Sequence, residues 1–462
     1  MKKKLASQFT DTYEYAYRQI LYPLYESGIR QRNTLRHLAE YESNQWRPLE
    51  ELQAIQWAKT VKLLKFCYEH VPYYHDNWDA AGINWQDIKS MKDFVQLPLL
   101  TKVDIRNNYD RLIAVPFKGK NYRKSTSGST GQALIFEYSK ESNQRRQAVM
   151  MRDYAWAGAR LGRRTVYVWG ADTSGKVPIT KQIKTGMHNW LLRKKMLNSF
   201  FLTVGNIDEY LDAIDIYRPD VIVGYVSPLH LLARHRLKQG TPRWQPKTIV
   251  TGAERLFDFQ RRDIEQAFGC KVFHTYGCRE FMSIASECPE HNGLHINMDH
   301  LVVELLDASA QPAPTGQVVI TDLHNYGMPF IRYESGDWAT EMPGACNCGR
   351  QLPRLSSVEG RVLDVIRTQD GRMVPGEFFV YLMFDFPGVE RFQVVQKSLQ
   401  SLVLNIVKGE TFEPGAVDIL NREIRKVLGA EIDIQYRFLS SIPMTQSGKS
   451  RVTISELCET AI

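Results

Sequence analysis

Apolar residues recur at helical spacing through residues 7–30, carried by Phe9, Tyr13, Tyr17, Ile20, Leu21 and Leu24. Two readings stand for this helix: it packs on its own domain, or its basic start lays it on a membrane surface. Ile55, Val61, Leu64 and Phe66 predict a second amphipathic helix over 51–70. It should stop at Val71-Pro72-Tyr73-Tyr74, because a proline disfavours helical geometry in the residue before it. Phe94 to Leu100 reads as a connector, and Lys102-Val103-Asp104-Ile105 as a new helix start.

The pattern then alternates. A helix is predicted from Glu141 to Trp156, with Ala148, Met151 and Ala155 on one face, and a strand from Thr165 to Trp169. Asn206 is placed to cap a helix whose first turn holds Asp208 and Glu209, favourable against its dipole. Val221-Ile222-Val223 and Thr248-Ile249-Val250 read as strands running into Gly224-Tyr225 and Gly252-Ala253-Glu254. A helix around Phe259, Ile264 and Phe268 should end at Gly269 in a left-handed cap. Val272 to Thr275 is a further strand, ending at Tyr276-Gly277. Strands alternating with helices imply a parallel sheet covered on both faces, whose ligands sit beyond the C-terminal strand ends.

Residues 301–306 and 317–322 read as strands with no helix between them, which suggests a smaller antiparallel sheet. After Gly360-Arg361 the composition shifts to helix (377–385), strand (391–396), strand (401–407), helix (413–428) and strand (432–438). The expected organisation is therefore an α/β domain over 1–360, with a helical lead-in over 1–60, and a small α+β domain over 361–462. No internal repeat or low-complexity segment interrupts it.

A chain of 462 residues, 43% hydrophobic and 24% charged, is long enough for two or more cores and has a globular composition. The formal charge of +8 suits anionic ligands such as nucleotides but mostly describes a solvated surface. Met1-Lys2-Lys3-Lys4-Leu5 leads into Gln8, Asp11 and Glu14 rather than an apolar run, so no secretion signal is read. No stretch reaches the length of a membrane span. The seven cysteines fit a reducing cytoplasm better than a disulfide framework.

One stretch cannot pack at all: Ser125-Thr126-Ser127-Gly128-Ser129-Thr130-Gly131. Glycines let a backbone approach a ligand closely, and the N–H groups and hydroxyls are donors for phosphate oxygens. Gln132 stands where a Walker loop has lysine, which disfavours a P-loop NTPase. Downstream lie Tyr276-Gly277 with Glu280, Arg332-Tyr333 with Gly336-Asp337, Gly360-Arg361, and Pro443 with Thr445, Gly448-Lys449 and Arg451. These places are expected to converge on one nucleotide.

In that order the motifs resemble the adenylate-forming enzymes, which include acyl-CoA synthetases and the adenylation domains of peptide synthetases. Val71-Pro72-Tyr73-Tyr74 and Leu97-Pro98 with Lys102 are similar to the phenylacetate–CoA ligase branch. Within it the chain most resembles ligase-like proteins associated with capsular polysaccharide biosynthesis. The resemblance covers about residues 60–455. It implies activation of a carboxylate by ATP to an acyl-adenylate, release of pyrophosphate, and transfer to CoA, an amine or a hydroxyl. Loop 125–131 would hold the β- and γ-phosphates, and Glu280 would hold Mg²⁺. Tyr276 and Gly277, with Gly252-Ala253-Glu254, would flank the adenine and acyl sites, as would Tyr225 to Pro228. Asp337 would accept from the ribose hydroxyls and Arg361 would hold ribose or phosphate. Lys449, on a C-terminal lid, would bridge the substrate carboxylate and the α-phosphate.

Three departures from the family pattern stand out. Arg279 replaces the usual Thr or Ser before the metal-binding glutamate, and would touch the α-phosphate or serve as an ion-pair partner. After Arg361 come Leu363 and Asp364 rather than two acids, which leaves open whether the lid rotates between two poses. Asp370 to Pro375 matches the tunnel segment of CoA-using members only loosely, so the acceptor stays undetermined.

Cys288, His295, Cys346 and Cys348 form a candidate zinc set of the kind that relatives carry, with His291 a rival ligand. The alternative is ordinary thiols beside a turn; Cys67, Cys270, Cys278 and Cys458 are read as structural. Against the ligase stand two other readings. One is a nucleotide-binding scaffold without catalysis in a glycan-assembly complex, which the joint presence of Lys449, Glu280 and Asp337 argues against. The other is a membrane-docked partner of such a complex.

Overall fold

A computed structural model describes residues 12–126, 134–170, 185–186, 188–202, 204–240, 244–361, 365–369, 373–375, 377–384, 386, 388–409, 411–413, 415–442 and 452–457. It divides into two compact units. One comprises the chain to Ser335 with Ala339–Val358; the other comprises Gly336–Trp338 with the chain from Glu359 onward.

The first unit opens with helical turns over Thr12–Ala16, Tyr17–Leu21 and Leu24–Ile29, the latter two with the i→i+5 bonding of a π-helix. Their buried side, Tyr17, Tyr22 and the paired acids Glu14 and Glu26, faces the protein. The long helix Leu49–His70 stops where expected: Val71 is extended, and Pro72 opens a new helix, Pro72–Ala80, at the position where its missing N–H costs nothing. Thr101 and Asp104 form a reciprocal capping box on helix Lys102–Asn107. Asn206 departs from expectation. It precedes helix Ile207–Tyr217 but makes no side-chain cap, and its amide donates to the Phe201 carbonyl instead.

A hairpin comes first among the strands, β1 (Tyr122–Ser125) paired antiparallel with β2 (Ile135–Tyr138). The main sheet then builds from β3 (Thr165–Trp169), β4 (Lys194–Asn198), β5 (Val221–Tyr225), β6 (Thr248–Gly252) and β7 (Lys271–Tyr276), all parallel. It continues through β8 (Ala285–Glu287), β9 (Leu294–Ile296), β10 (Leu301–Leu306), β11 (Thr315–Asp322), β12 (Tyr333–Met342) and β13 (Arg354–Arg361). The order is β10-β11-β12-β13-β9-β8-β7-β6-β5-β3-β4. The strands at 301–306 and 315–322 are thus antiparallel to each other but not a separate sheet, because β7 turns back into β8 and carries the pairing across.

The second unit holds β14 (Val365–Arg367), β15 (Met373–Pro375), β16 (Val389–Ser398), β17 (Ser401–Lys408), β18 (Asp433–Phe438) and β19 (Thr453–Ser455). Its four-stranded sheet runs β18-β17-β16-β19, and helix Ala416–Leu428 makes the crossover from β17 to the parallel β18. Val394, Leu404, Ile406, Leu420 and Ile424 form its core with Phe379. The architecture is an α/β domain with a mixed sheet and a β-rich C-terminal domain.

Candidate active site and Cys/His cluster

The C-terminal ends of β5, β6 and β7 lie side by side, in a register that sets Tyr225 opposite Gly252 and Thr251 opposite His274. Tyr225, Gly252 and Tyr276-Gly277 therefore share one edge, as the sequence pattern requires. Tyr225 lies against Trp169, ring centroids 4.1 Å apart. Gly252 abuts the next strand: a Cβ there would come within 2.8 Å of Thr275 Oγ1. Glu254 is a helix cap, its Oε2 accepting the Ser227 N–H at 2.6 Å at the start of helix Val226–Gln239.

After β7 the chain turns back sharply. A Cβ on residue 277 would meet the Met282 carbonyl oxygen at 1.9 Å, so glycine alone fits there. This turn carries Arg279 and Glu280. Glu280 is buried and accepts the Tyr333 hydroxyl at 3.2 Å on Oε1; it makes no other hydrogen bond among the described residues. A buried carboxylate with one oxygen engaged and the other uncommitted fits a single-arm ligand for Mg²⁺. Arg279 is exposed and donates to the Ser125 carbonyl at 2.6 Å. It thereby ties the Glu280 turn to the stem of the glycine-rich loop.

That stem is closed at its base: Thr126 N–H donates to Leu134 O at 2.8 Å, and Leu134 N–H to Thr126 Oγ1 at 3.1 Å. Ser127, Gly128, Ser129, Thr130 and Gly131 lie outside the described residues, as does Lys449. Asp337 falls within β12 and is grouped with the second unit; Arg361 ends β13.

Three further residues support these elements: Asp153 escaped the sequence reading, whereas the Arg332-Tyr333 motif stands in it without separate roles. Tyr333 is the partner of Glu280. Arg332, beside it, has a left-handed backbone and a wholly structural job. Its guanidinium pairs with Glu304 at 3.1 Å and donates to the carbonyls of Val95 and Leu97, each at 2.5 Å. The Leu97-Pro98 segment is thereby fastened to β12. Asp153 is fully buried and accepts from Ser283 Oγ (2.5 Å), Ser286 Oγ (3.2 Å) and Asn297 Nδ2 (2.7 Å). Burial raises its pKa, against the neighbouring Arg152 and these donors. This network anchors the C-terminal side of the Glu280 turn to helix Lys140–Trp156. No spacing rule links residues 153 and 283.

Cys288, His295, Cys346 and Cys348 bring their ligand atoms within 4.8 Å of one another. Cys288 Sγ lies 3.7 Å from Cys346 Sγ, and Cys348 Sγ 3.4 Å from His295 Nε2. His295 Nδ1 sits 3.1 Å from the Leu352 carbonyl, a contact that places the ring proton there and leaves Nε2 bare toward the thiols. Burial pushes His295 down to about 4, keeping it neutral, and pushes Cys288 up to about 12. Burial also opposes ionisation of Cys348, but hydrogen bonds from the Arg350 backbone and side chain and from the other thiols bring it below its ordinary value. The donor set fits tetrahedral zinc. His291 turns instead to Glu287, at 3.2 Å.

Residues 366–456 match the family model of the CapK C-terminal domain. The phenylacetate–coenzyme A ligase of Thermus thermophilus is 29% identical over 384 residues, covering 79% of this chain and 83% of the relative. The chain is a homologue of the phenylacetate–coenzyme A ligases. Protein CapK of Staphylococcus aureus is 24% identical over 436 residues, covering 93% and 94% of the two chains. Among solved structures, 2-hydroxyisobutyryl-CoA ligase in the postadenylation state superposes with a TM-score of 0.72 at 21% identity, covering 89% of this chain and 91% of that one. The fold of this ligase homologue is thus that of adenylate-forming enzymes. Among the described residues no helix is long and apolar enough to cross a membrane.

Proposed function

We propose that the protein joins a carboxylic acid to AMP at the expense of ATP, releases pyrophosphate, and passes the acyl group to an acceptor, for which coenzyme A is the first choice. The observation that carries this reading is the buried Glu280 carboxylate. A tyrosine hydroxyl holds it on a glycine-locked turn that is itself tied to the stem of the glycine-rich loop. Attack of a carboxylate on the α-phosphate brings two anions together, so the site must offset repulsion and stabilise charge in the transition state. Mg²⁺ held by Glu280 would supply part of that charge. Residues 125–131 would cradle the β- and γ-phosphates through N–H and hydroxyl donors. Tyr276, beside Gly277, would line the adenine site, with Gly252, Ala253 and Glu254 shaping its neighbour. Asp337 would accept from the ribose, Arg361 would hold ribose or phosphate, and Lys449 would donate to the carboxylate and α-phosphate. Arg279 serves the loop stem rather than an acid.

Relatives named for phenylacetate and 2-hydroxyisobutyrate support an acid substrate and a thiol acceptor. The resemblance of the motifs to ligase-like proteins associated with capsular polysaccharide biosynthesis keeps a sugar hydroxyl or amine as the second acceptor. ATP–pyrophosphate exchange across a panel of aryl and short hydroxy acids tests the proposal. Exchange that depends on one class of acid is expected. ATP binding with no exchange for any acid would move the protein to the scaffold reading. We further propose that the Cys/His cluster holds a structural zinc ion.

A further inference from the structure

Nine of the eighteen large apolar side chains exposed by the described residues come from two short segments, 15–29 and 190–216. Tyr15, Ile20, Leu24 and Ile29 are each more than half exposed, and they recur at steps of five, four and five residues. On an ordinary α-helix that spacing would drift around the axis. Here the i→i+5 bonds, Tyr22 N–H to Tyr17 O and Arg30 N–H to Tyr25 O, widen the turns so that the four keep to one outward stripe. Opposite them Tyr17, Tyr22 and Glu26 are buried. Trp190, 80% exposed, stands on a neighbouring turn. That turn is tied to the same helix by Tyr13 OH donating to Leu191 O at 3.0 Å and by Arg193 over the Tyr13 ring at 4.8 Å.

The surface charge of the stripe's own segment and of the Trp190 turn is basic, with exposed Glu42 the acid that shares a cavity with Arg18. Between Thr12 and Arg36 the only acids are Glu14 and Glu26, and both are buried: Glu14 pairs with Arg163, while Glu26 takes Arg32 and the Thr34 hydroxyl. Residues 185–198 contain no acid at all. What faces water is Arg30, with Arg18, Arg193 and Lys194 half-buried. Aliphatic and indole side chains rimmed mainly by cations match a bilayer surface carrying anionic headgroups. A protein partner of ordinary mixed charge would leave those cations without counter-charges.

We propose that the Tyr15–Ile29 stripe, with Trp190, docks the protein on an anionic lipid surface. Bound this way the chain lies on one leaflet, with apolar side chains in the headgroup–acyl boundary and arginines at the phosphates.

The test is flotation of the full chain with phosphatidylcholine vesicles, with and without phosphatidylglycerol. Binding to the anionic vesicles alone is expected, weakened by added salt. Ile20→Asp with Leu24→Asp, both solvent-exposed, should lower the bound-to-free ratio by about tenfold or more. Ile419→Asp, an exposed position in the second unit, should leave it unchanged. Circular dichroism and the exchange assay confirm that each variant is folded. Absence of flotation by the full chain, or equal flotation of the double variant, overturns the proposal. So does a concentration-dependent dimer that the double variant abolishes while lipid binding persists, which would assign the stripe to a second copy.

Discussion

The hydroxyl of Tyr333 donates to Oε1 of Glu280 across 3.2 Å, joining the first residue of β12 to the turn that follows β7. Two motifs more than fifty residues apart in sequence, neither interpretable alone, become one device.

Removing that hydroxyl should loosen the carboxylate without deleting it. Tyr333→Phe is expected to slow acid-dependent pyrophosphate exchange about tenfold, in line with one hydrogen bond to a charged group. Glu280→Gln should cost two to three powers of ten, roughly the loss of a principal transition-state contact. Raising magnesium should partly rescue the tyrosine variant and not the glutamine one. Equal defects in the two would show that Tyr333 does more than orient Glu280.

Lys449 carries the most demanding expectation. Lys449→Ala should lower the exchange rate by about two to three powers of ten, with little change in ATP affinity. An unaltered exchange rate would remove this lysine from the adenylation step.

The cysteine cluster predicts a metal content. Elemental analysis of protein purified without chelator should find one zinc per chain, and Cys346→Ser should lose it. Because zinc needs thiolates, uptake should release protons and weaken as pH falls. The two strands flanking the cluster, β9 and β13, pair through Arg354 opposite His295. Stripping the metal should therefore lower the melting temperature cooperatively rather than fray one loop.

Buried histidines set an acid limit. His300 is fully buried, 2.9 Å from the Tyr41 hydroxyl and stacked at 5.4 Å on His324, whose own pKa is also depressed. Burial is the main cause of its fall to about 4; Asp322 and Asp299 oppose the shift, and Arg146 and Lys59 reinforce it. A depressed histidine stays neutral in the folded chain while the unfolded chain takes up a proton below about 6.5. Stability is therefore lost as pH falls from about 6.5 to 4, and this one group accounts for about 2 kcal/mol by pH 5. Denaturant midpoints at pH 7 and pH 5 should draw closer together in His300→Gln. An unchanged gap would place the acid sensitivity elsewhere.

Much of this was readable in one dimension. The parallel strands announce themselves through β-branched runs ending in glycine, and Gly269 caps its helix with a left-handed backbone, φ 67°. The cysteine set was legible as ligand chemistry. Other features were not, because their causes are contacts between distant segments. Asn206 satisfies every local rule for a cap, yet the Phe201 carbonyl claims its amide. Arg332 looks like a ligand-binding arginine by motif, but its Nη1 donates to the buried carbonyls at 95 and 97 and its guanidinium pairs with the carboxylate of Glu304. The Glu304 pKa is raised all the same, because burial outweighs the guanidinium beside it. Asp153 gave no signal, since its three partners, Ser283, Ser286 in β8 and Asn297, lie more than 120 residues away.

The tight reversal at Gly277 divides what can vary in this enzyme from what cannot. Any side chain at 277 would drive out the Met282 carbonyl and drag Glu280 with it, so on the proposed reading the phosphate chemistry would have almost no room to drift. Tyr225 to Pro228 and the Ala253-Glu254 bend hang from separate strand ends and are not held by that constraint. A lineage exploring new acids could rebuild those lips repeatedly while inheriting an unaltered reaction.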